Sequence, residues 1–382
     1  MHAVRYLCMI GIRLLDEGCR AARRCIYCFA RTTCVAITNV NSEDPTLRTI
    51  WFLVSGRMCS KHRGSTTRYL ACWTTASLML LTYGNVGEAE AIKVAISQRG
   101  FWDSSFVDFA TRQGFFKDEG MEVEPFYTEG GAGTLDAVMS GSVDIGMSNG
   151  LLGTLGRFAK GAPIRVVAAE MTGASDAFWY AREDSGIKTL KEAAGKSIAF
   201  SSPGSSTNLM VLALIKQAGV DAKPLATGGA PGTLTQVMTR QVDIGWSVPP
   251  FGLAQVADGT IAIVAKGSDV PELANQTLRV NVARLDVLEQ KRALLTRFLK
   301  IYARAIDWAY KSDQALEYFA EANGVALPLA RSTREFYPKE ALQMSEIKSL
   351  DLTLRDAATF KYTAKLLEKK DVSSLFDVLL PP

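Results

Sequence analysis

A cluster of small hydroxyl residues stands where it could hold an anion. The stretch 201–208 contains four serines, a threonine and a glycine, and a helix is predicted from Ser205 to Ala218. Backbone N–H groups at a helix N-terminus carry partial positive charge and bind anions, and hydroxyl groups add further donors. Ordinary capping needs only one serine. We therefore predict that this loop contacts a ligand through Gly204, Ser205, Ser206 and Thr207.

Tryptophans follow two other predicted strands at equivalent places. In open parallel sheets, ligands bind beyond the carboxyl ends of the strands. Trp102 and Trp246 are predicted to enclose a flat or apolar ligand body, with Arg99 pairing a carboxylate or sulfonate. Packing within each lobe is the alternative for either tryptophan, and a solvated surface charge is the alternative for Arg99. Asp103 is expected to cap the following helix, or else to accept from a ligand amine.

Further strand ends and turns complete the predicted ligand contacts. Ser148 and Asn149 follow one apolar strand, Thr172 lies beyond the strand 164–169, and Gly229 lies in a glycine turn. The glycine runs are not followed by Lys-Ser or Lys-Thr, so they do not match a P-loop.

The positions of histidine and cysteine exclude several kinds of catalytic site. All seven cysteines and both histidines precede residue 73. The remaining chain therefore has no Cys nucleophile, no Ser-His-Asp triad and no His- or Cys-based metal site. We predict no catalytic residues, no metal and no cofactor.

A repeated segment indicates two similar lobes. The residues 130–148 recur as 228–247, with Pro231 as an apparent insertion, and each copy combines a glycine turn, a helix and an apolar strand. Such repetition predicts two α/β lobes with a ligand cleft between them. Asp144 and Asp243, which lie just before the repeated strands, are expected to cap turns.

Strand and helix patterns alternate from residue 92 onward. This alternation predicts mainly parallel sheets with helices on both faces. The chain is expected to build lobe I from residues 92–176 and 277–382, and lobe II from 177–276. Helical patterns at 288–310 and 352–367 are expected to brace lobe I.

Charge and length restrict the possible partners. The chain has 382 residues and 48% apolar residues, enough for two domains or more. Residues 1–91 carry eleven basic and six acidic side chains, whereas the remainder carries 32 and 33. The larger part therefore offers no basic surface for nucleic acid.

The N-terminal region has the three parts of a secretory signal. Basic residues at 61–68 precede an apolar run at 70–83, and Ala89-Glu90-Ala91 provides a small-x-small cleavage pattern. The run is shorter than the roughly 20 residues of a membrane-spanning helix. We expect a signal peptide at 58–91 cleaved after Ala91, with an amphipathic anchor helix as the alternative. Residues 1–57 are interpreted as a mis-called or disordered extension, and the alternative is a zinc knuckle at Cys19, Cys25, Cys28 and Cys34.

One motif resembles a known family. The run 114–123, Gly-Phe-Phe-Lys-Asp-Glu-Gly-Met-Glu-Val, resembles the GFF-x-x-EGL-x-V signature of nitrate/taurine-type substrate-binding proteins of bacterial ABC importers. The glycine turns, the Val-Asp-Ile-Gly strands and residues 190–199 are also similar, so the resemblance covers about residues 92–310. It implies a type II periplasmic binding protein fold whose hinged lobes close on a ligand. It also implies a periplasmic monomer without a membrane span, which delivers its ligand to a permease driven by an ATPase.

The sequence restricts the class of ligand but does not identify a single compound. The resemblance implies a small organic anion of sulfonate, carboxylate, aromatic or pyrimidine-like type, and the aromatic loop at 99–105 favours an organic ligand over nitrate. One alternative is an enzyme on the same fold, such as a pyrimidine-precursor synthase or a menaquinone-pathway lyase. The other is a sensor that binds a ligand without transporting it.

Overall fold

Two five-stranded β-sheets organise residues 89–380, the part of the chain that this computed structural model describes. The expected zinc knuckle and nearly all of the expected signal peptide lie outside these residues. In chain order the strands are β1 (Glu90–Ile96), β2 (Met121–Tyr127), β3 (Ile145–Gly150), β4 (Ile164–Thr172), β5 (Phe178–Arg182), β6 (Ser197–Phe200), β7 (Lys223–Ala226), β8 (Ile244–Ser247), β9 (Ile261–Lys266) and β10 (Thr277–Arg284).

Eleven helices among the described residues cover the sheets. They are α1 (Phe106–Arg112), α2 (Phe115–Asp118), α3 (Gly131–Ser140), α4 (Leu151–Ala159), α5 (Ser206–Ala218), α6 (Ala230–Met238), α7 (Leu253–Ala257), α8 (Leu285–Ala309), α9 (Gln314–Asn323), α10 (Leu327–Glu335) and α11 (Leu350–Thr359). Short 3-10 turns lie at Asp103–Ser105, Glu183–Ser185, Leu190–Ala193, Gly267–Asp269, Pro271–Leu273, Lys339–Leu342 and Lys369–Leu375. No helix of residues 89–380 is both long enough and apolar enough to cross a bilayer.

In each sheet, one strand is antiparallel to both of its neighbours. The first sheet has the order β2-β1-β3-β10-β4 and the second has the order β7-β6-β8-β5-β9. β1 pairs in parallel with β2 and β3, whereas β10 is antiparallel to β3 and β4. In the second sheet, β5 is likewise antiparallel to β8 and β9. We call the part built on the first sheet lobe I and the part built on the second sheet lobe II.

Two adjacent chain crossings connect the lobes. The segment 173–177 leads from β4 to β5, and the segment 267–276 leads from β9 back to β10. The crossings are hydrogen-bonded to each other, because Gly173 N donates to Gln276 O (2.9 Å) and Gly267 N donates to Ala177 O (2.8 Å). A Cβ at Gly267 would lie 2.4 Å from Ala174 O, so only glycine permits this approach.

The helix and the strand of the second repeat both begin 99 residues after those of the first, so there is no insertion between them. Gly130 and Gly229 are the N-cap residues of α3 and α6, so Pro231 lies inside the first turn of α6. Proline is well accommodated there, because the first-turn N–H groups have no partner within the helix. Asp144 and Asp243 hold equivalent places: their carboxylates accept the backbone N–H of Lys93 and of Ser197, each at 2.9 Å.

One helix end differs from the sequence-based expectation. α11 ends at Thr359, and the predicted continuation to residue 367 does not form a helix. The helix α1 ends just before Gly114, which adopts φ 75°, and the Gly-Phe-Phe motif then begins a short helix of its own. The long helix α8 packs on α1, β4 and β10 and braces lobe I as predicted.

Candidate ligand-binding cleft

A cleft between the lobes is lined by the N-termini of two helices. α3 of lobe I contributes Gly130 and Gly131, and α5 of lobe II contributes residues 205–207. In this structure the cavity volume of the cleft is about 30 Å³. Its other lining residues are Ser97, Gln98, Phe101, Ser148, Asp176, Ala177, Ser201, Met210, Trp246, Val248 and Arg279.

At the start of α5, side-chain hydroxyl groups form hydrogen bonds within the loop, whereas two backbone N–H groups remain free to donate. Ser205 is the N-cap, and its Oγ accepts the N–H of Asn208 at 3.2 Å. Thr207 Oγ1 accepts the N–H of Ser201 at 3.0 Å, which folds the loop back on β6. Within residues 89–380, the backbone N–H groups of Ser206 and Thr207 have no acceptor. These two groups can therefore donate to an anion at the positive end of the helix.

The start of α3 offers the same kind of donors from the opposite lobe. The carbonyl of Gly130 accepts from the third and fourth residues after it, and the N–H groups of Gly131 and Ala132 have no acceptor in the described part of the chain. A Cβ at Gly131 would lie 2.5 Å from Ser148 O, and one at Gly130 would lie 3.6 Å from Ser201 Oγ. The glycines therefore let this helix end approach both β3 and the other lobe. Positive helix ends from both lobes face one cleft.

An aromatic wall completes the cleft, but the residue that meets Trp246 there is not the expected Trp102. Trp246 lies on β8, is 2% exposed, and meets Phe101 edge to face with ring centroids 6.4 Å apart. Trp102 points instead into the core of lobe I, where it packs on Phe106, Phe109, Tyr310 and Phe319. The expected pair of tryptophans therefore does not form. Phe101 faces the cleft, whereas its neighbour Trp102 faces the core.

A buried ion cluster forms the floor of the cleft. Arg279 on β10 pairs with Asp103 (Nη1 to Oδ2, 2.9 Å) and with Asp176 of the first crossing. Asp103 therefore does not cap a helix. Burial raises the pKa of Asp103 in spite of the attraction of Arg279. Burial also disfavours the Arg279 cation, but Asp176 and Asp103 outweigh it and raise its pKa. The Oδ1 atoms of both aspartates are buried without a hydrogen-bond partner in the described residues.

Glu170 lies beside this cluster and is 1% exposed. Its carboxylate accepts from the backbone N–H of Ser148 (2.6 Å) and from the Tyr302 hydroxyl (3.0 Å). Burial, reinforced by the negative charge of Asp103, raises the pKa of Glu170 to about 7. Ser148 adopts the left-handed conformation (φ 58°) within β3, and its hydroxyl also donates to Asp103 Oδ2 (3.2 Å). A non-glycine residue in this conformation is uncommon and accumulates at functional sites.

Seven of the twelve predicted contacts lie outside the cleft lining: besides Trp102, Asp103 and Gly229, they are Arg99, Asn149, Thr172 and Gly204. Arg99 is exposed, with its guanidinium 3.8 Å from the centre of the Tyr127 ring. Asn149 is fully buried, and its side chain bonds with Gly146, Val280 and Thr134. Thr172 bonds with Thr277 beside the crossings, and Gly204 lies at the seam between the lobes. The residue that takes the expected place of Arg99 at the cleft is its neighbour, Gln98.

Gly229 lies at the edge of the cleft rather than in it. It caps α6, and a Cβ there would lie 2.7 Å from both Gln98 Oε1 and Glu129 Oε2 of lobe I. The next residue, Ala230, donates its N–H to Gln98 Oε1 at 3.3 Å. Gln98 therefore bridges the lobes.

Sequence reasoning missed the charged floor of the cleft. Arg279 and Glu170 interrupt apolar strands that are otherwise buried, and a charge in such a strand needs a partner. That interruption is the signal that could have identified both residues. Asp176 carries no such signal, because it stands in a crossing segment.

Comparisons with known proteins fit this geometry. A family model described as NMT1/THI5 like matches residues 104–315. A protein of Escherichia coli K12 named as an aliphatic sulfonates-binding protein is 27% identical over 244 residues, covering 62% of this chain and 73% of that protein. The alkanesulfonate-binding protein of Xanthomonas axonopodis pv. citri, solved with MOPS, superimposes with a TM-score of 0.65 at 18% identity, covering 77% of this chain and 100% of the other. The periplasmic nitrate-binding protein of Synechocystis PCC 6803 gives a TM-score of 0.61 at 14% identity, with 76% and 87% covered.

Proposed function

This chain belongs to the NMT1/THI5-like family, and we propose that it is the solute-binding component of an ABC importer that captures a small organic anion. The observation that carries this proposal is the convergence of two helix N-termini, from opposite lobes, on one cleft. Each provides backbone N–H groups that have no other acceptor among the described residues. An anion that accepts from both ends is bound more tightly by the closed arrangement than by an open one. Binding therefore shifts the lobes toward closure.

The anion is organic, because the wall beside the helix ends is apolar. Trp246, Phe101, Met210 and Val248 line the cleft next to the donors. An apolar wall with a few polar groups is typical of sites for small organic ligands. The relatives named for sulfonates support a sulfonate as the anionic group.

Binding without catalysis agrees best with the residues of the cleft. One oxygen of Asp103 and one of Asp176 pair with Arg279, and Glu170 accepts from Ser148 and Tyr302. The relatives are named as binding proteins rather than enzymes. We therefore favour transport over the synthase, lyase and sensor alternatives, with a permease and its ATPase as the partners and the chain acting as a monomer.

A thermal-shift screen tests the proposal. The protein is heated with sodium propanesulfonate, sodium nitrate, a pyrimidine and sodium benzoate, with sodium chloride at the same concentration as the reference. A ligand at a hundred times its dissociation constant stabilises the folded state by about 2.7 kcal/mol. We expect a clear shift with an organic anion. A folded protein that responds to no compound of the panel would contradict the proposal.

A matched pair of variants tests whether the anion that stabilises the protein binds beside Trp246. Trp246→Phe removes the indole N–H at the cleft wall and should weaken binding of the responding anion. Trp308→Phe makes the same change in the aromatic cluster of lobe I, where Trp308 packs on Phe109 and Phe115. We expect this control to bind as the unmodified protein does. Equal affinity of both variants would remove Trp246 from the site.

We propose that the protein functions in the periplasm, after its signal peptide is cleaved following Ala91. Cleavage there leaves Ile92–Ile96 of β1 paired with β2 and removes Glu90, whose carboxylate lies 2.7 Å from Arg297. N-terminal sequencing and intact mass of the exported protein test the position. A mature chain beginning at Ile92 is expected, and a chain beginning before Ile92 would contradict it.

A further inference from the structure

A basic groove lies outside the cleft, where lobe I meets the loop before α5 of lobe II. Its volume is about 300 Å³, and its only charged lining residues are Arg157, Lys160 and Lys361. The first two stand at the end of α4, and the third follows α11. Five glycines line much of the rest. The groove therefore presents positive charge over a floor that is largely bare backbone.

The groove and the cleft adjoin each other. Gly131, at the start of α3, lines both of them. On the floor of the groove, Gly153 N donates to Gly204 O (3.2 Å), so the two lobes are in contact there. The cleft beside it has a volume of only about 30 Å³. A ligand can therefore enter the cleft only when the lobes separate, and separation of Gly153 from Gly204 opens the groove toward it.

Two of the three cations of the groove are not engaged in ion pairs. Arg157 pairs with Asp136 of α3 (Nη2 to Oδ1, 2.9 Å). Within residues 89–380, no carboxylate lies within 4.0 Å of the ammonium group of Lys160 or of Lys361. Both lysines are exposed. Their charges are available to an anion that arrives from solution.

Lys361 has a backbone conformation that favours glycine. It follows the last turn of α11 with φ 62°, and the N–H of the next residue, Tyr362, donates to Ala357 O (2.7 Å). Glycine is the usual residue at such a helix end, because a side chain in the left-handed region is strained. Strained positions of this kind accumulate at functional sites. The charge of Lys361 in the groove accounts for a lysine that the helix end itself does not favour.

We propose that the basic groove is an entry site, which attracts the anionic ligand and passes it to the cleft when the lobes separate. This inference rests on the proposed function and adds an outer site to the cleft. Lys160 and Lys361 attract the anion from solution. Gly131 and Ala132, whose backbone N–H groups have no acceptor in the described part of the chain, line the groove as well. Donors therefore continue from the groove to the start of α3, where the cleft begins.

An entry site has a characteristic effect on rates. Clusters of one charge raise the association rate of an oppositely charged ligand by a factor of about 10 to 1,000, and salt weakens the effect. The ligand passes the same lysines when it leaves. Loss of the lysines should therefore slow association and dissociation together, so that the dissociation constant changes by less than either rate. Loss of a contact to the bound ligand would change mainly the dissociation rate.

Stopped-flow fluorescence, reported by Trp246 in the cleft, tests the entry site. The probe is the anion with the largest thermal shift among propanesulfonate, benzoate and nitrate. The double variant Lys160→Gln/Lys361→Gln should slow both association and dissociation by about threefold or more, and its association rate should depend less on salt. The control Lys223→Gln/Lys300→Gln changes the net charge equally, at exposed lysines of β7 and α8. It should retain both rates of the unmodified protein.

A single glycine variant separates the charge of Lys361 from its place in the fold. Lys361→Gly removes the ammonium group but suits the left-handed backbone, so the variant should keep its thermal transition while both rates fall. Arg240→Gly is the matched control, because Arg240 has the same φ of 62° in lobe II and does not line the groove. We expect its rates to equal those of the unmodified protein.

The outcomes separate the entry site from the proposed function. An anion that binds at unchanged rates to the Lys160→Gln/Lys361→Gln variant would overturn the entry site alone, and would leave the groove for a macromolecular partner with an acidic surface. Equal slowing in the control pair would assign the effect to overall charge and would also overturn it. A higher dissociation constant with unchanged association would make the lysines contacts of the bound anion, again against the inference. A protein that responds to no anion of the panel would overturn the proposed function and the entry site together.

Discussion

Gly153 of lobe I donates its backbone N–H to the carbonyl of Gly204 in lobe II, across an N···O distance of 3.2 Å. A Cβ at Gly153 would lie 2.7 Å from that oxygen, and one at Gly150 would lie 2.1 Å from it. The lobes thus touch backbone to backbone, beside the helix end that is proposed to hold the anion. The two backbones can approach this closely because Gly150, Gly153 and Gly204 have no side chains.

Gly153→Ala should weaken ligand binding without destabilising the fold. The added methyl group pushes lobe II away and disfavours closure, whereas alanine within α4 improves helix propensity by about 1 kcal/mol. Titration with the best-bound compound of the anion panel should show at least a tenfold higher dissociation constant. Gly232→Ala is the matched control, because Gly232 lies in α6 and a Cβ there meets nothing within 4 Å. Equal affinities of the two variants would show that closure does not depend on this contact.

Tyr362→Phe should reduce affinity by a smaller factor. The Tyr362 hydroxyl accepts the N–H of Gly204 at 2.7 Å and donates to Asn208, so it ties the C-terminal segment to the α5 loop. Phenylalanine removes both hydrogen bonds, but the N–H of Gly204 keeps Asn208 Oδ1 as an acceptor at 3.2 Å. We therefore expect a net loss of about 1 kcal/mol, which corresponds to roughly fivefold in the dissociation constant. Tyr318→Phe serves as the control, since its hydroxyl accepts only from Gln113 on the surface of lobe I. An unchanged dissociation constant for Tyr362→Phe would exclude this tie as a support of the closed form.

Glu170→Gln should flatten the pH dependence of stability. The pKa of Glu170 is about 7 in the folded protein and about 4.5 in the unfolded chain, so the folded state holds an extra proton between these values. The free energy of unfolding therefore falls as pH rises from 4.5 through 7, by roughly 3 kcal/mol in all. Glutamine stays neutral and removes this loss. Urea unfolding between pH 5 and pH 8 measures it, with the exposed Glu289→Gln as control. A Glu170→Gln slope equal to that of the unmodified protein would contradict the assignment.

Asp243→Asn should destabilise lobe II. The carboxylate accepts both the N–H and the hydroxyl of Ser197, at 2.9 and 2.8 Å, and thereby fixes the start of β6. Although burial opposes it, these hydrogen bonds and Lys196 lower the pKa of Asp243. We expect a loss of about 1 kcal/mol in the free energy of unfolding at pH 7, because the group is partly exposed. Asp136→Asn, in an exposed ion pair, should cost less; the reverse order would refute the role of Asp243.

Local patterns in the sequence determined much of this protein. The repeat predicted two similar α/β halves, and the serine-rich stretch predicted a helix N-terminus with free donors at 206 and 207. These features depend on residues close together in the chain, whose spacing alone sets the helix start and the strand faces. The family resemblance rested on the same short motifs.

Tertiary structure alone decided which side chains meet. Phe101 rather than Trp102 faces Trp246, although the two residues are neighbours in the chain. Arg279 joins Asp103 and Asp176 across separations of 176 and 103 residues, and no local period encodes such contacts. The contact between Gly153 and Gly204 likewise depends on how the two lobes pack against each other. Sequence pattern set the elements, and the packing of the lobes set the site.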